Sequence, residues 1–238
     1  MKNRLAFIAD IHSNLTALQS VLVDIEKRNI DTVICLGDIV GKGPRPNECI
    51  NLVKEKCADV ISGNLEVSVT KVDKNIDGVW NRSVLTKENF DYLSNLKYNG
   101  SISIGSIKIF YTHAFSNDFY KTNIIRKTEL DDMSNFDINA DILVYADIHH
   151  QYVKKYPNFV VYNTGSVGNH ICNEYNQIKN PNVLAEYLIL EIDGKNINHE
   201  FIQVDYDKLE EINYVKKIKF PLSYKYITEI TTGKYIKC

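Results

Sequence analysis

Cysteine is sparse in this 238-residue chain and never paired: Cys35, Cys49, Cys57, Cys172 and Cys238 are odd in number, and no two have Cys-x-x-Cys spacing. That argues against a disulfide framework or a thiolate zinc site and fits a reducing compartment. Neither sign of charge is in excess. With 28 basic and 30 acidic residues the formal net charge is −2, so no chain-wide basic field attracts nucleic acid. Long apolar runs are missing too. No stretch suffices to cross a bilayer, and Met1 to Arg4 leads into a strand-like run rather than a secretory hydrophobic region. The expectation is a cytoplasmic protein with no membrane partner. There is no internal repeat and no low-complexity block.

At 44% hydrophobic residues the chain can build one substantial core, and residues 1–238 read as a single domain. Leu5 to Ala9 is a short apolar run ending in a polar cluster, followed by Leu15, Leu18, Val21, Leu22 and Ile25 at helical spacing. The pattern recurs at Thr32 to Leu36, then a Gly/Pro-rich loop, then a helix opened by Pro46 and running to about Cys57. Asp59 to Ser62 supplies a third strand. Apolar strands alternating with helices predict parallel pairing in a covered sheet. A helical excursion occupies about residues 65–99, with Thr86 capping one helix. From Ser101 the chain becomes strand-rich, at Ser101 to Ile104, Ile107 to Tyr111, Ile142 to Tyr145, Tyr152 to Tyr156, Phe159 to Tyr162, Leu184 to Ile192 and Asn196 to Val204. This predicts a second, largely antiparallel sheet. An amphipathic helical stretch follows Tyr206, and then a tail rich in Lys, Tyr and Ile.

Polar clusters stand at five strand ends, where open α/β sheets place ligands. They are Asp10-Ile-His12-Ser-Asn14, Gly37-Asp38-Ile-Val-Gly41, Gly63-Asn64-Leu-Glu66, Tyr111-Thr-His113 and Asp147-Ile-His149. Singly, each has an ordinary explanation: Asp10 and Asp38 as caps or turn formers, His113 as a core histidine, Asn64 as a turn residue, Asp147 as a solvated carboxylate. Together they supply oxygen donors and imidazoles without thiolate, a set suited to manganese, iron, nickel or zinc. Two such ions about 3.5–4 Å apart are a standard clamp for phosphoryl chemistry. Lys42 and Arg45, in the loop after Asp38, are candidates to meet a substrate phosphate or else plain exposed cations. Tyr111 and Phe115 flank His113 and are candidates for stacking on a base or for core packing. Ser13 and Asn14 read as helix caps.

Asp10-x-His12, Gly37-Asp38-x-x-Gly41, Gly63-Asn64, His113 and Asn163-Thr-Gly-Ser-Val-Gly168 run in the order of the calcineurin-like metallophosphoesterases, which the chain resembles over roughly residues 4 to 205. Ser13-Asn14 and Gly43-Pro-Arg-Pro-Asn47 are similar to the branch of bacterial small phosphodiesterases and dinucleoside-polyphosphatase-like enzymes. The resemblance implies an αββα sandwich, four layers with two mixed β-sheets flanked by helices. It also implies two divalent ions, and the oxygen-rich donor set that Asp147 creates shifts the preference toward manganese and away from zinc. Asp10, His12 and His149 would hold one, Asn64, His113 and Asp147 the other, with Asp38 bridging and a metal-bridging hydroxide as nucleophile. The implied partner is a small phosphorylated substrate: a phosphodiester, a phosphomonoester or a nucleotide anhydride.

Two departures stand out. The family's Gly-Asn pair is usually followed by a histidine that protonates the leaving group; here it is Leu65. General acid catalysis contributes about 10²–10⁴-fold, so esters with poor leaving groups should turn over slowly. His150 and His170 are the remaining candidates for a substitute acid. The family's Gly-His-x-His is here Ala146-Asp147-Ile-His149, which adds a carboxylate and lowers the charge left on two ions. The leading expectation is a weakly active phosphoesterase; the alternative is a metal- or nucleotide-binding module of the same fold. A nuclease would want a basic groove, which the charge balance disfavours.

Overall fold

Both faces of the first strand are apolar, and both are covered. In the computed structural model, which describes residues 2–71, 76–114, 138–170 and 183–236, Leu5 and Phe7 of β1 (Lys2–Ile8) enter one buried cluster while Ala6 and Ile8 enter another. The latter gathers Leu18, Val21 and Ile25 from α1 (Leu15–Lys27) and Cys49, Ile50 and Val53 from α2 (Pro46–Lys56). The apolar stripe of α1 drives its docking, and Asn14 caps it by accepting the Ala17 amide at 3.1 Å. Pro46 sits in the first turn of α2, where its missing N–H has no helical partner to lose.

The first sheet has the order β10 (Asn196–Val204), β9 (Ala185–Asp193), β1, β2 (Thr32–Cys35), β3 (Asp59–Val60). Its β1, β2 and β3 run parallel, with Leu5 opposite Thr32 and Ile8 opposite Cys35, while β9 and β10 are antiparallel additions. The second sheet has the order β4 (Asn99–Ile104), β5 (Ile107–Thr112), β6 (Ile142–Tyr145), β8 (Val160–Asn163), β7 (Tyr152–Lys155). There β5, β6 and β8 are parallel, with β4 and β7 antiparallel at the edges. Leu5, Phe7, Leu188 and Leu190 of one sheet meet Ile109, Ile142 and Val144 of the other. The result is two mixed five-stranded sheets flanked by helices.

The strand pattern alone assigns β9 and β10 to a second, antiparallel sheet, and the structure corrects this: both return to the first sheet, and the second is mixed. Ala185 to Leu190 are buried without interruption, as suits a strand with neighbours on both edges and cover on both faces. Hydrophobicity reports such burial but does not name the strand's partner.

The excursion consists of α3 (Asn64–Thr70), α4 (Ile76–Val84) and α5 (Lys87–Ser94), the last capped by Thr86, whose hydroxyl accepts the Asn89 amide at 3.2 Å. After β10 come α6 (Lys208–Lys217) and α7 (Ser223–Thr232). Val215, Phe220, Tyr226 and Ile230 from this end form a small core against which Trp80 of α4 packs. Among the described residues no helix is long and apolar enough to cross a membrane.

Arg45 departs from the sequence reading. Rather than standing free in its loop it is buried, its guanidinium paired with Glu211 and lying 4.6 Å from the ring centre of Tyr214. Glu211, with no exposed surface, also accepts from Thr16 Oγ1 at 2.5 Å and Tyr226 Oη at 3.0 Å. One buried carboxylate thus joins α1, α6, α7 and the loop before α2. Removing the cation leaves Glu211 charged and uncompensated. Arg45→Met should therefore lower the unfolding free energy by about 3–5 kcal/mol in urea titration; a loss below about 1 kcal/mol would mean the pair acts like an exposed one.

Candidate metal centre

Asp10, His12, Asp38, Asp147 and His149 all have positive φ, between 50° and 69°. Seven of the nine non-glycine residues with positive φ in the described structure lie in these loops, Ser13 and Lys42 being the other two. Such backbone is uncommon outside glycine, and Asp and His are among the side chains that tolerate it best. It persists because the loops are laced to one another. Asp10, His12 and Ser13 donate their amides to the carbonyls of Gly37, Asp38 and Ile39 at 3.0, 2.9 and 2.9 Å. Gly43 N–H returns to the His12 carbonyl at 3.0 Å, and Gly168 N–H reaches the Asp10 carbonyl at 2.9 Å. A Cβ on Gly168 would stand 1.7 Å from the Ile11 carbonyl oxygen, so only glycine permits this approach.

Two side chains outside the predicted set hold the loop after β2. Glu66, fully buried, accepts Asp38 N–H and Gly63 N–H on one oxygen, both at 2.7 Å, and Ile39 N–H and Val40 N–H on the other at 2.8 and 3.1 Å. Asn81 of α4 accepts from Ser13 Oγ at 2.6 Å and Gly41 N–H at 2.8 Å, and donates to the Gly43 carbonyl at 3.0 Å. A signal for Glu66 exists in the sequence, since a glutamate three residues after the N-cap can accept the N-cap amide, as Glu66 does from Gly63: one half of a capping box on α3. None exists for Asn81, which arrives from a separate helix.

The seven predicted ligand residues are buried or half-buried around one point. His149 Nε2 lies 3.1 Å from His12 Nε2 and 3.2 Å from Asp10 Oδ1. His113 Nε2 lies 3.1 Å from Asn64 Oδ1, 3.6 Å from Asp38 Oδ1 and 3.9 Å from Asp147 Oδ1. The Asp147 amide donates to Asp10 Oδ2 at 3.2 Å. Asp10, His12 and His149 form one compact donor group, and Asp10, Asp38 and His113 a second. The carboxylate common to both groups is Asp10, where the resemblance implied Asp38. In two of the three histidines the other ring nitrogen faces a carbonyl: His113 Nδ1 that of Leu36 at 2.8 Å, His149 Nδ1 that of Asn169 at 2.5 Å. A carbonyl only accepts, so each Nδ1 carries a proton, which leaves Nε2 as the inward atom that a second proton or a cation can take.

Charge is finely divided here. Burial and the neighbouring Lys42 cation hold the His12 imidazole well below its usual range, and the same two influences lower His149, Asp10 resisting. Burial pushes the Asp38 carboxyl well up, helped by the Glu66 and Asp10 charges. Burial opposes charge on His113 as well, yet Asp38, Asp10, Asp147 and Glu66 together lift it to about 9.

The remaining candidates fall elsewhere. The Tyr111 ring packs edge-on to Phe7 and its hydroxyl donates to Asp59, a core role; Phe115 lies outside the described residues. His170 Nδ1 is 3.2 Å from Glu186 Oε2, and the His150 ring lies 6.3 Å from that of Tyr152. Leu65 donates its amide to Asp38 Oδ1 at 2.8 Å, while its side chain is buried in van der Waals contact range of Gly41. For Glu66→Gln, an amide NH₂ would face two backbone N–H donors. The expected cost is on the order of 2–6 kcal/mol in chemical denaturation, from two buried donors left unmet; an unchanged midpoint would contradict the anchoring role.

The calcineurin-like phosphoesterase superfamily domain matches residues 4–195. An uncharacterized protein of Methanocaldococcus jannaschii is 28% identical over 239 residues, covering 93% of this chain and 95% of that one. Among solved structures, a metallophosphoesterase from Sphaerobacter thermophilus superposes with a TM-score of 0.74 at 22% identity, covering 97% of this chain and 99% of that one. A hypothetical protein from Pyrococcus horikoshii gives 0.75 at 19% identity, with 98% and 99% covered. The structural likeness concerns the fold, and the domain match covers most of the sequence: the chain belongs to the calcineurin-like phosphoesterase superfamily.

Proposed function

We propose that this protein is a dinuclear metal-dependent phosphoesterase acting on a small phosphorylated substrate. The observation that carries the reading is the convergence of His12 Nε2, His149 Nε2 and Asp10 Oδ1 within 3.7 Å of one another, next to the Asp38, His113 and Asn64 group. Inward lone pairs and a buried carboxylate repel one another unless a cation or proton lies among them. Asp10, His12 and His149 would hold one ion; Asp38, Asn64, His113 and Asp147 would hold the other, with Asp10 within reach of both groups. The ions would supply Lewis acidity toward a phosphoryl oxygen and activate water for attack. Three carboxylates and an amide oxygen make an oxygen-rich set that favours manganese over zinc. Lys42, half-buried and near enough for its charge to lower the pKa values of Asp10, His12 and His149, would take a phosphate oxygen.

In the metal-free site His113 keeps its proton up to about 9, and burial holds the Asp38 carboxyl above the usual carboxylate range. Their pKa values are raised in the folded state. The stability they contribute is therefore present below the unfolded values and lost as pH climbs, for His113 between 6.5 and about 9. A cation must displace the His113 proton. Manganese affinity in calorimetry should thus rise about tenfold per pH unit from 7 toward 9, with proton release to the buffer. Flat affinity across that range would exclude His113 as a ligand.

Leu65 leaves the leaving group without a proton donor, so activated esters and phosphoanhydrides should be preferred. A nitrophenyl phosphodiester and a dinucleoside polyphosphate should turn over faster with manganese than with zinc; zinc ahead on both would overturn the metal assignment. Leu65→His should raise turnover of poor-leaving-group esters, by up to about 10²–10⁴-fold. No gain with metals still bound would show that the missing acid is not limiting. A second reading, a metal- or nucleotide-binding module without useful turnover, has Leu65 in its favour. Two ions retained without phosphate release from any of these substrates would select it.

A further inference from the structure

Helix α7 carries a carboxylate with no exposed surface, Glu229. A buried carboxylate is costly unless its hydrogen bonds are specific. Here it accepts from Asn169 Nδ2 at 3.0 Å and from the Ile236 amide at 3.4 Å. Asn169 is itself buried, and among the described residues its Oδ1 has no donor, leaving Glu229 as what holds that side chain. The backbone carbonyl of Asn169 is the acceptor for His149 Nδ1 at 2.5 Å. Its amide donates to Ser166 Oγ at 3.1 Å, and Ser166 Oγ donates to the Asp10 carbonyl at 2.9 Å. The turn that Glu229 grips therefore touches the Asp10 backbone and the His149 ring; Asp10 is common to both donor groups, whereas His149 belongs to one of them alone.

We propose that Glu229 is a positioning residue: through Asn169 it fixes the tautomer and orientation of His149, so that the C-terminal helix governs one of the two metal sites and not the other. Metal-bound histidines depend on what their second nitrogen meets, and removing such a partner weakens metal affinity by about 10–100-fold. The inference rests on the metal reading above for its binding arm, and on the hydrogen-bond chain alone for its spectroscopic arm.

The experiment compares wild type, Glu229→Ala, Glu229→Gln and Asn169→Ala, all stripped with chelator. Manganese calorimetry of Glu229→Ala and Asn169→Ala should show one binding event weakened by about 10–100-fold and the other nearly unchanged. Glu229→Gln, whose amide oxygen still accepts from Asn169, should stay near wild type. In the metal-free proteins, long-range ¹H–¹⁵N correlation spectra should show the Nδ1-protonated tautomer of His149 in wild type and Glu229→Gln, and its loss or averaging in the two alanine variants. Equal weakening of both events, or an unchanged His149 spectrum in a folded alanine variant, overturns the proposal. Should Glu229→Ala not fold, Asn169→Ala decides, since it leaves the α7 carboxylate in place. If wild type binds no manganese, the metal reading fails while the spectra still decide the coupling.

Discussion

The candidate site depends on one buried carboxylate gathering backbone amides. Glu66 takes four N–H groups, three from consecutive residues of the loop after β2 and one from Gly63. Three successive amides can point at one carboxylate only if the chain curls around it, and Asp38 pays with a φ of 50°. Once curled, the loop offers its carbonyls to the amides of Asp10, His12 and Ser13, which forces the loop after β1 into the same left-handed backbone. Hydrogen bonds to an ionised acceptor contribute about 1.5–3 kcal/mol each, enough to offset the strain of a few such residues at about 1–3 kcal/mol apiece. The geometry of Asp10, His12 and Asp38 thus follows from a residue that touches no substrate on the proposed reading.

The electrostatics follow from the same enclosure. Carboxylates and imidazoles drawn this close, away from water, cannot all keep their ordinary protonation. In the metal-free protein the conflict resolves by division: His113 holds a proton up to about 9 while burial and the Lys42 cation keep His12 neutral. Four nearby acidic groups, Asp38, Asp10, Asp147 and Glu66, raise the pKa of His113, whereas the Lys42 cation lowers that of His12. The two donor groups are unequal before any ion arrives, and a cation would meet different competition at each.

The sequence revealed much of this through residue type and position. Asp10-x-His12, Gly37-Asp38 and Gly63-Asn64 could be read because strand ends confine them and because few chemistries need that set of donors. Asn81, Asn169, Glu211 and Glu229 could not. They act across long separations, Asn81 on Gly41 and Glu211 on Arg45, and a polar residue in an amphipathic helix looks the same whether it faces water or another loop. The burial of Arg45 is hidden for the same reason: a Gly/Pro-rich loop suggests exposure, and the carboxylate that pairs with it comes 166 positions later. The return of β9 and β10 to the first sheet was hidden because apolar alternation encodes burial without encoding partners.

Leu65 shows how binding and chemistry can separate at a single position. Its amide donates to Asp38 at 2.8 Å and so serves the cluster with its backbone, a task any residue but proline performs. Its side chain packs beside Gly41 in the apolar core that runs under α1 and α2. A histidine at this position would keep the first role and add a proton donor at the cost of that packing. Selection acting on ion retention would not see the difference; selection acting on poor leaving groups would. On the phosphoesterase reading proposed above, leucine at this position fits substrates whose leaving groups depart without help.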